Sequence, residues 1–289
     1  MKKCAFLTLD ESGDHIIDDE YAIKPLNELG WQVSTVPWRQ ADRSWGDFDA
    51  VIIRSTWDYC HDVPTFLETL ERINRETMLA NCLELVRWNL AKTYMRDLEA
   101  RGIGIVPTRW PDSLQADSFT NLQGQLGTQD IVVKPVVGAN GEDAFRVSPA
   151  DPSERLESIA ARFQNRDCMV QPFMPNIVNE GEYSLFFFSG KYSHAILKVP
   201  AKHEFRSQEE HGSDIHSVIP REKLLERAQQ VLESLTSSPL YARIDFVRND
   251  ADDFVVMELE LIEPSLYLRT DPQAAARFAA AIDFWAPTA

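Results

Sequence analysis

Apolar and polar residues alternate in two different rhythms along this chain. In the first third, short apolar runs at 4–9, 31–36 and 49–54 ("DAVIIR") read as strands, and 20–29 and 63–75 carry helical spacing. Strands alternating with helices predict an α/β unit with a parallel sheet. Gly30 suits the end of the first helix, and Asp62 with Pro64 suits the start of the second. The first strand–helix turn carries no G-x-G-x-x-G, so a dinucleotide-binding fold is not supported.

Beyond residue 88 the rhythm changes. Asn89 is placed to cap a helix over 90–100, ending at Arg101-Gly102. A polar stretch rich in Gln, Asp and Ser covers 111–130. "IVVKPVVGANGEDAFRV" then reads as two strands around a glycine loop, 151–164 as a helix, and "DCMVQPFMP" as a strand and its exit. "EYSLFFFSGKYSHAILKVP" has the form of a hairpin. In 221–235 the apolar residues Leu224, Leu225, Ala228, Val231, Leu232 and Leu235 make one helical stripe aimed at a core. Residues 241–268 are mostly strand, and 273–284 closes the chain as a helix.

Composition narrows the class. A length of 289 residues suits two domains, or one with an inserted lobe, and apolar and charged shares of 44% and 26% are ordinary for a globular protein. The net charge of −16 repels phosphate backbones, so nucleic acid is not expected as a partner. Cys4, Cys60, Cys82 and Cys168 form no C-x-x-C pair, which argues against zinc-finger and redox motifs and for a reduced, cytoplasmic setting. The apolar run near the N-terminus is short for a signal peptide, and nothing approaches a membrane span.

The stretch "YARIDFVRNDADDFVVMELELIEPSLYL" (241–268) poses the chemical question. Strand alternation puts Met257, Leu259 and Leu261 on one face, and Glu258 and Glu260 on the other. If the polar turn "RNDADD" is centred between Ala251 and Asp252, Asp245 faces Glu258 and Arg243 faces Glu260. Three carboxylates and an arginine then converge, and opposed like charges destabilise a strand pair unless something compensates. A hard divalent cation does so, with Arg243 beside it for a phosphate or an oxyanion. Lys134 at a strand end, followed by Gly138 and Gly141, offers a phosphate cradle, although a plain hairpin turn explains the glycines equally well and Lys92 alone is an ordinary helix lysine.

The ordered set Lys92, Lys134, the glycine loop, "VQPF", "GEYS", Lys198, "EFRSQEEHG", "RID" and "ELE" resembles the ATP-grasp superfamily, in the flavour of the glutathione-synthetase-like and ribosomal-protein glutamate ligases. The resemblance covers roughly 88–268. It implies an α/β ATP-grasp fold: a pre-grasp parallel-sheet domain at 1–87 on the substrate side, a central lobe with the glycine loop at 88–172, and a C-terminal antiparallel lobe with a metal site at 173–289. It implies ATP phosphates on Lys92 and Lys134, adenine at the hinge around Gln171, Phe173 and Met174, ribose on Glu182, and a further nucleotide contact from Lys198. Arg206 and Gly212 match the loop that closes over the transferred phosphoryl group, and Arg243 the arginine that steadies an acyl phosphate. Asp245, Glu258 and Glu260 match ligands of Mg²⁺, or of Mn²⁺ in its place.

Two departures stand out. Many relatives carry Asn at the position of Glu260, and one extra residue precedes Pro264, so that Glu263 competes with Glu260 as the second glutamate ligand; strand alternation favours Glu260. "IRSTWDY", "RWNLAK" and "EPSLYL" resemble a subgroup that includes the D-cycloserine-forming cycloligase. Arg54, Ser55, Thr56 and Asp58, at the C-terminal end of a parallel strand, are then expected to face substrate. Trp57 and Tyr59 serve equally well as packing between domains, and His203, His211 and His216 as solvated or lid residues.

The resemblance implies a Mg-dependent carboxylate–amine ligase acting on small molecules, with an acyl phosphate intermediate. The alternatives are an intramolecular cycloligase, a kinase-like enzyme that stops at a phosphorylated product, and a non-catalytic nucleotide-binding or scaffold protein. A homodimer is the default assembly.

Overall fold

The computed structural model describes residues 1–13, 15–40 and 42–286; residues 287–289, the end of the C-terminal lobe expected from sequence, lie outside them. The N-terminal unit runs β1 (Lys2–Thr8), α1 (Glu20–Glu28), β2 (Trp31–Pro37), β3 (Ala50–Ser55), α2 (Val63–Glu76) and β4 (Met78–Ala80). Its four strands form a parallel sheet in the order β2-β1-β3-β4. The central strand β1 buries Cys4, Ala5, Phe6 and Leu7 completely, as a parallel strand covered on both faces must. Asp62 accepts the Thr65 backbone N–H at 3.3 Å and caps α2, as its position before Pro64 predicts.

Two short helices follow, α3 (Leu83–Asn89) and α4 (Tyr94–Ala100), in place of the single helix expected over 90–100. Asn89 ends the first instead of capping the second. The break has a cause: the Lys92 N–H bonds the Val136 carbonyl at 2.8 Å, which takes it out of any helical ladder and ties this turn to the glycine loop. The polar stretch 111–130 hides α5 (Ser118–Leu126), whose Phe119 and Leu122 are buried one turn apart among Gln, Asn and Gly.

The central lobe continues with β5 (Ile131–Pro135), β6 (Phe145–Val147), α6 (Ser153–Arg162) and β7 (Cys168–Pro172), an antiparallel sheet in the order β6-β5-β7. A single turn, α7 (Asn176–Asn179), leads into β8 (Glu182–Phe188), β9 (Lys191–Val199), β10 (Asp214–Ser217), α8 (Glu222–Glu233), β11 (Tyr241–Arg248) and β12 (Phe254–Glu260). These strands form an antiparallel sheet, β10-β9-β8-β11-β12. Helix α8 buries Leu224, Ala228 and Val231 against it, with Leu225, Leu232 and Leu235 partly covered.

Helix α9 (Ala274–Trp285) returns to the first unit. Its Phe278 ring lies 5.0 Å from Phe188, 6.1 Å from Tyr241 and 6.4 Å from Phe6. One core therefore spans the N-terminal sheet and the large antiparallel sheet. Buried in it, His194 stacks on Phe186 at 4.3 Å and hydrogen-bonds Ser193 and the Leu266 carbonyl. Burial pushes its pKa from 6.5 down to about 4. Between these values the unfolded chain binds the proton and the folded chain does not, so stability is fully present above pH 6.5 and falls on acidification toward pH 4. The loss approaches about 3 kcal/mol. Urea unfolding across this range should show a shallower acid decline for His194→Gln than for the parent; parallel declines would remove His194 as the cause.

Candidate active site

A β-bulge sets the phase of the acids. The β11–β12 turn spans the five residues 249–253, and next to it Arg248 pairs with Phe254 and Phe246 with Val256. Continued unbroken, that register would bring Asp245 opposite Met257. The register instead shifts between Asp245 and Phe246, giving Asp245–Glu258 and Arg243–Glu260, the pairs expected from sequence. The extra residue is Met257. It lines the same cavity as Glu258 and Glu260 rather than joining Leu259 and Leu261 in the core, so the expected face assignment of Met257 is corrected.

That cavity lies where β5, the glycine loop, β7, β12 and the 203–212 segment meet. It is lined by Lys92, Lys134, Gly138, Gly141, Gln171, Phe173, Met174, Glu182, Lys198, Arg206, Arg243, Glu258 and Glu260, which brings most of the predicted site residues together. Lys92 Nζ holds Glu258 at 2.8 Å and donates to the Gly138 carbonyl at 2.8 Å. Lys198 pairs with Glu182, and Ser207 Oγ donates to the other Glu182 oxygen at 2.7 Å. The Lys134 ammonium makes no ion pair or hydrogen bond among the described residues. Burial and the neighbouring Lys92 lower its pKa against the pull of Glu258.

The expected metal ligands divide. Glu258 and Glu260 stand on the cavity wall, whereas Asp245 lies behind it. Asp245 is bound by Arg243 Nη2 at 2.9 Å and Lys198 Nζ at 3.4 Å. Burial alone would raise the Asp245 pKa, but these two cations hold it well below the usual carboxylate range. Arg243 also pairs with Glu260, yet burial and the charges of Glu258 and Asp245 still push Glu260 up to about 7. Burial, reinforced by Glu260, pushes Glu263 up to about 8. The wall thus carries more carboxylate than its cations neutralise, and hard oxygen donors in excess suit a hard divalent cation. Among the described residues, the group whose ligand atoms all fall within 4.8 Å of one another is a different one, Cys60, His61 and Glu142, which joins the N-terminal unit to the glycine loop.

The four residues expected to face substrate lie off the wall of this cavity. The Arg54 side chain is buried, bonding Asp19 at 2.9 Å and the Pro264 carbonyl at 2.9 Å. Ser55 bonds Thr8 at 2.8 Å, Thr56 is fully buried, and Asp58 accepts from Trp38 at 2.7 Å and pairs with Arg39. The same segment reaches the cavity through Trp57 and Tyr59 instead. Arg54 and Ser55 belong to β3, which is buried along its whole length, whereas Trp57 and Tyr59 lie in the turns beyond its end.

The glycine loop and the 203–212 segment are in contact. A Cβ on Gly141 would lie 2.9 Å from Gln208 Oε1, and His211 Nε2 meets the Asn140 carbonyl at 3.3 Å. Arg206 is folded back onto Glu204, at 2.7 Å, and holds that carboxyl at about 2. Gly212 takes a left-handed φ of 81° after this segment.

Sequence reasoning missed the parts that hold the site in place. Asn89 Nδ2 donates to the Leu259 carbonyl and its Oδ1 accepts from Leu261 N, both at 2.9 Å, and Tyr94 Oη accepts from Leu259 N at 2.9 Å. Together they clamp the end of β12. Gly181, before Glu182, has φ 126°, and a Cβ there would lie 2.8 Å from the Lys198 backbone oxygen. The "GEYS" spelling was the available signal. Gly181→Ala is expected to lower stability by about 2–4 kcal/mol, from backbone strain plus a clash with a rigid partner, and to weaken nucleotide binding by displacing Lys198. Thermal unfolding with and without ATP measures both, and an unchanged midpoint would show that the strands yield easily.

The family model described as "Prokaryotic glutathione synthetase, ATP-grasp domain" matches residues 110–259, and that of the "D-cycloserine synthetase DcsG, N-terminal domain" matches 4–81. The cycloserine biosynthesis protein DcsG of Streptomyces lavendulae is 32% identical over 286 residues, covering 91% of this chain and 93% of its own. A glutathione synthetase of Rhodopseudomonas palustris is 24% identical, covering 75% of this chain and 66% of its own. The crystal structure of D-cycloserine synthetase DcsG superposes with a TM-score of 0.85 at 27% identity, covering 99% of this chain and all of that one. The ATP-grasp ligase PsnB, complexed with minimal precursor, Mg and ADP, shares the fold at a TM-score of 0.67 and 13% identity, covering 99% of this chain and 97% of its own.

Proposed function

This chain belongs to the ATP-grasp family of ligases, and we propose that it uses MgATP to convert a small-molecule carboxylate into an acyl phosphate, which a nitrogen of the same molecule then attacks to close a ring. The observation that carries this reading is the similarity to D-cycloserine synthetase along nearly the whole chain, including the N-terminal unit that supplies Trp57 and Tyr59 to the cavity.

The chemistry balances with ATP as the only co-reactant. A substrate carboxylate oxygen attacks the γ-phosphorus and ADP leaves; nitrogen then attacks the acyl carbon, phosphate leaves, and the nitrogen gives up its proton. Catalysis of this kind rests on positioning and on stabilising charge, so no serine or cysteine nucleophile is required. In this reading Lys92 and Lys134 receive the triphosphate, the hinge at Gln171, Phe173 and Met174 receives adenine, and Glu182 the ribose. Lys198 and Arg243 stabilise the transferring phosphoryl group and the acyl oxygen. Arg206 exchanges Glu204 for the phosphoryl group as its segment closes and excludes water. Glu258 and Glu260 would hold Mg²⁺, which neutralises phosphate charge when bound. Asp245 is the member of the expected ligand set that Arg243 and Lys198 withhold. Residues 1–87 serve as the substrate-side unit, with α9 completing its core.

Intermolecular ligation is the second reading, supported by the similarity to glutathione synthetases. One experiment separates the two. ADP release from MgATP is screened over pooled carboxylic and amino acids, with and without hydroxylamine, and products are weighed. A hydroxamate reports the acyl phosphate. Without hydroxylamine, a product lighter than its substrate by one water supports ring closure, and a product containing two substrates supports ligation. Absence of thermal stabilisation by MgATP would overturn both in favour of a scaffold.

A further inference from the structure

Matching charges around the cavity leaves two groups over. Of the wall carboxylates, Glu258 is paired with Lys92, Glu260 with Arg243, Glu182 with Lys198 and Glu209 with Arg269. Glu210 and Glu142 bond His15 and His61, and Arg206 is held by Glu204. Among the described residues this leaves Lys134 as the wall cation without a partner and Glu263 as the wall carboxylate without one. Lys134 has a use in phosphate chemistry. Glu263 has none there, since a carboxylate repels the anions being transferred.

Glu263 is nevertheless held firmly in place. Trp57 Nε1 donates to its backbone carbonyl at 2.9 Å, and Arg54 donates to the next carbonyl, of Pro264, at 2.9 Å. Both donors come from the N-terminal unit, so the substrate-side unit positions this acid. It is only 8% exposed, and a carboxylate so buried is costly to ionise without a cation beside it. Its raised pKa is the consequence expected of a group lacking one.

We propose that Glu263 is the binding site for a cationic nitrogen on the substrate, an ammonium carried by the same small carboxylate that the enzyme activates. The inference rests on the single-substrate reading above and adds that the substrate is of the amino-acid class, its ammonium recognised by Glu263 while Lys134 stays with the triphosphate. The competing role for Glu263, that of second metal glutamate, is weaker on this geometry: Glu260 pairs in register with Arg243 inside β12, whereas Glu263 lies beyond the strand after the buried Leu261 and Ile262.

The test compares the parent enzyme with Glu263→Gln and Glu263→Asp on matched carboxylates, each amino acid of either hand beside its deaminated analogue, with MgATP and hydroxylamine. The parent is expected to form hydroxamate from amine-bearing members and little from their analogues. Glu263→Gln should lose about 30-fold or more in kcat/KM on the amine-bearing members, the scale for removing one side of a buried charge pair. Its activity on the deaminated members should not fall. Glu263→Asp, which keeps the charge, should retain the preference with a raised KM. MgATP-induced thermal stabilisation should persist in both variants, which also reports that they fold. Three outcomes overturn the inference while leaving the ligase reading intact: a parent indifferent to the amine, an undiminished preference in Glu263→Gln, or loss of Mg-dependent ATP stabilisation in Glu263→Gln, which would return the residue to the metal. No hydroxamate from any member, with ATP still stabilising the parent, would overturn the single-substrate reading and the inference with it.

Discussion

Glu258→Gln is expected to reduce Mg-dependent turnover by about 100-fold or more while leaving the fold intact. Glu258 is the wall carboxylate paired with Lys92, and its charge is held ionised by Lys92 and Lys134 against burial. Glutamine keeps the size but halves the oxygen donors and removes the charge. Lys92 retains the Gly138 carbonyl, so its ammonium is not left bare. The diagnostic measurement is thermal stabilisation by ATP with and without Mg²⁺. The parent should gain stability from the metal and the variant should not. Full activity in the variant would sink the assignment of this acid to the metal, whereas a collapse of the nucleotide-free midpoint would give it a structural role instead.

The second large effect is one of stability. Asn81 is buried at the junction between the N-terminal sheet and the hairpin that carries the acids. Its Oδ1 accepts from Leu240 N at 2.6 Å, and its Nδ2 donates to the carbonyls of Tyr241 and Leu261, at 2.9 and 2.8 Å. Tyr241 supports the same junction, its single hydroxyl proton shared between the Ile53 and Ile262 carbonyls at 2.7 and 2.8 Å. Asn81→Ala strands three backbone groups away from water and is expected to cost about 3–5 kcal/mol. It should also loosen the strand ends that present Arg243 and Glu260. Urea unfolding gives the first quantity and kcat the second. A loss under about 1 kcal/mol would mean that water replaces the amide.

Local patterns carried the elements. Period-two alternation located β8, β9, β11 and β12, helical stripes located α1, α2 and α8, and the acids in "RID" and "ELE" fell in their true register. Where composition masked the stripe, as in α5, or where a turn diverted the backbone, as at Lys92, the local pattern misled. Arg54, Ser55, Thr56 and Asp58, at the end of β3 and just beyond it, looked like a ligand-binding edge because their types allow it, and the fold set them off the cavity wall, with Arg54, Ser55 and Asp58 bonded elsewhere.

The chain by itself therefore determined its elements, its family and most of the groups that meet at the cavity, because side-chain periodicity and residue type are properties of short segments. Only the tertiary structure decided which charges find a partner. Asp245 is taken by Arg243 and Lys198, Met257 turns to the cavity at a bulge, and Lys134 and Glu263 are left unmatched. Pairing is a matter of distances between residues far apart in sequence, and those distances exist only once the N-terminal unit, the glycine loop and the hairpin have packed together.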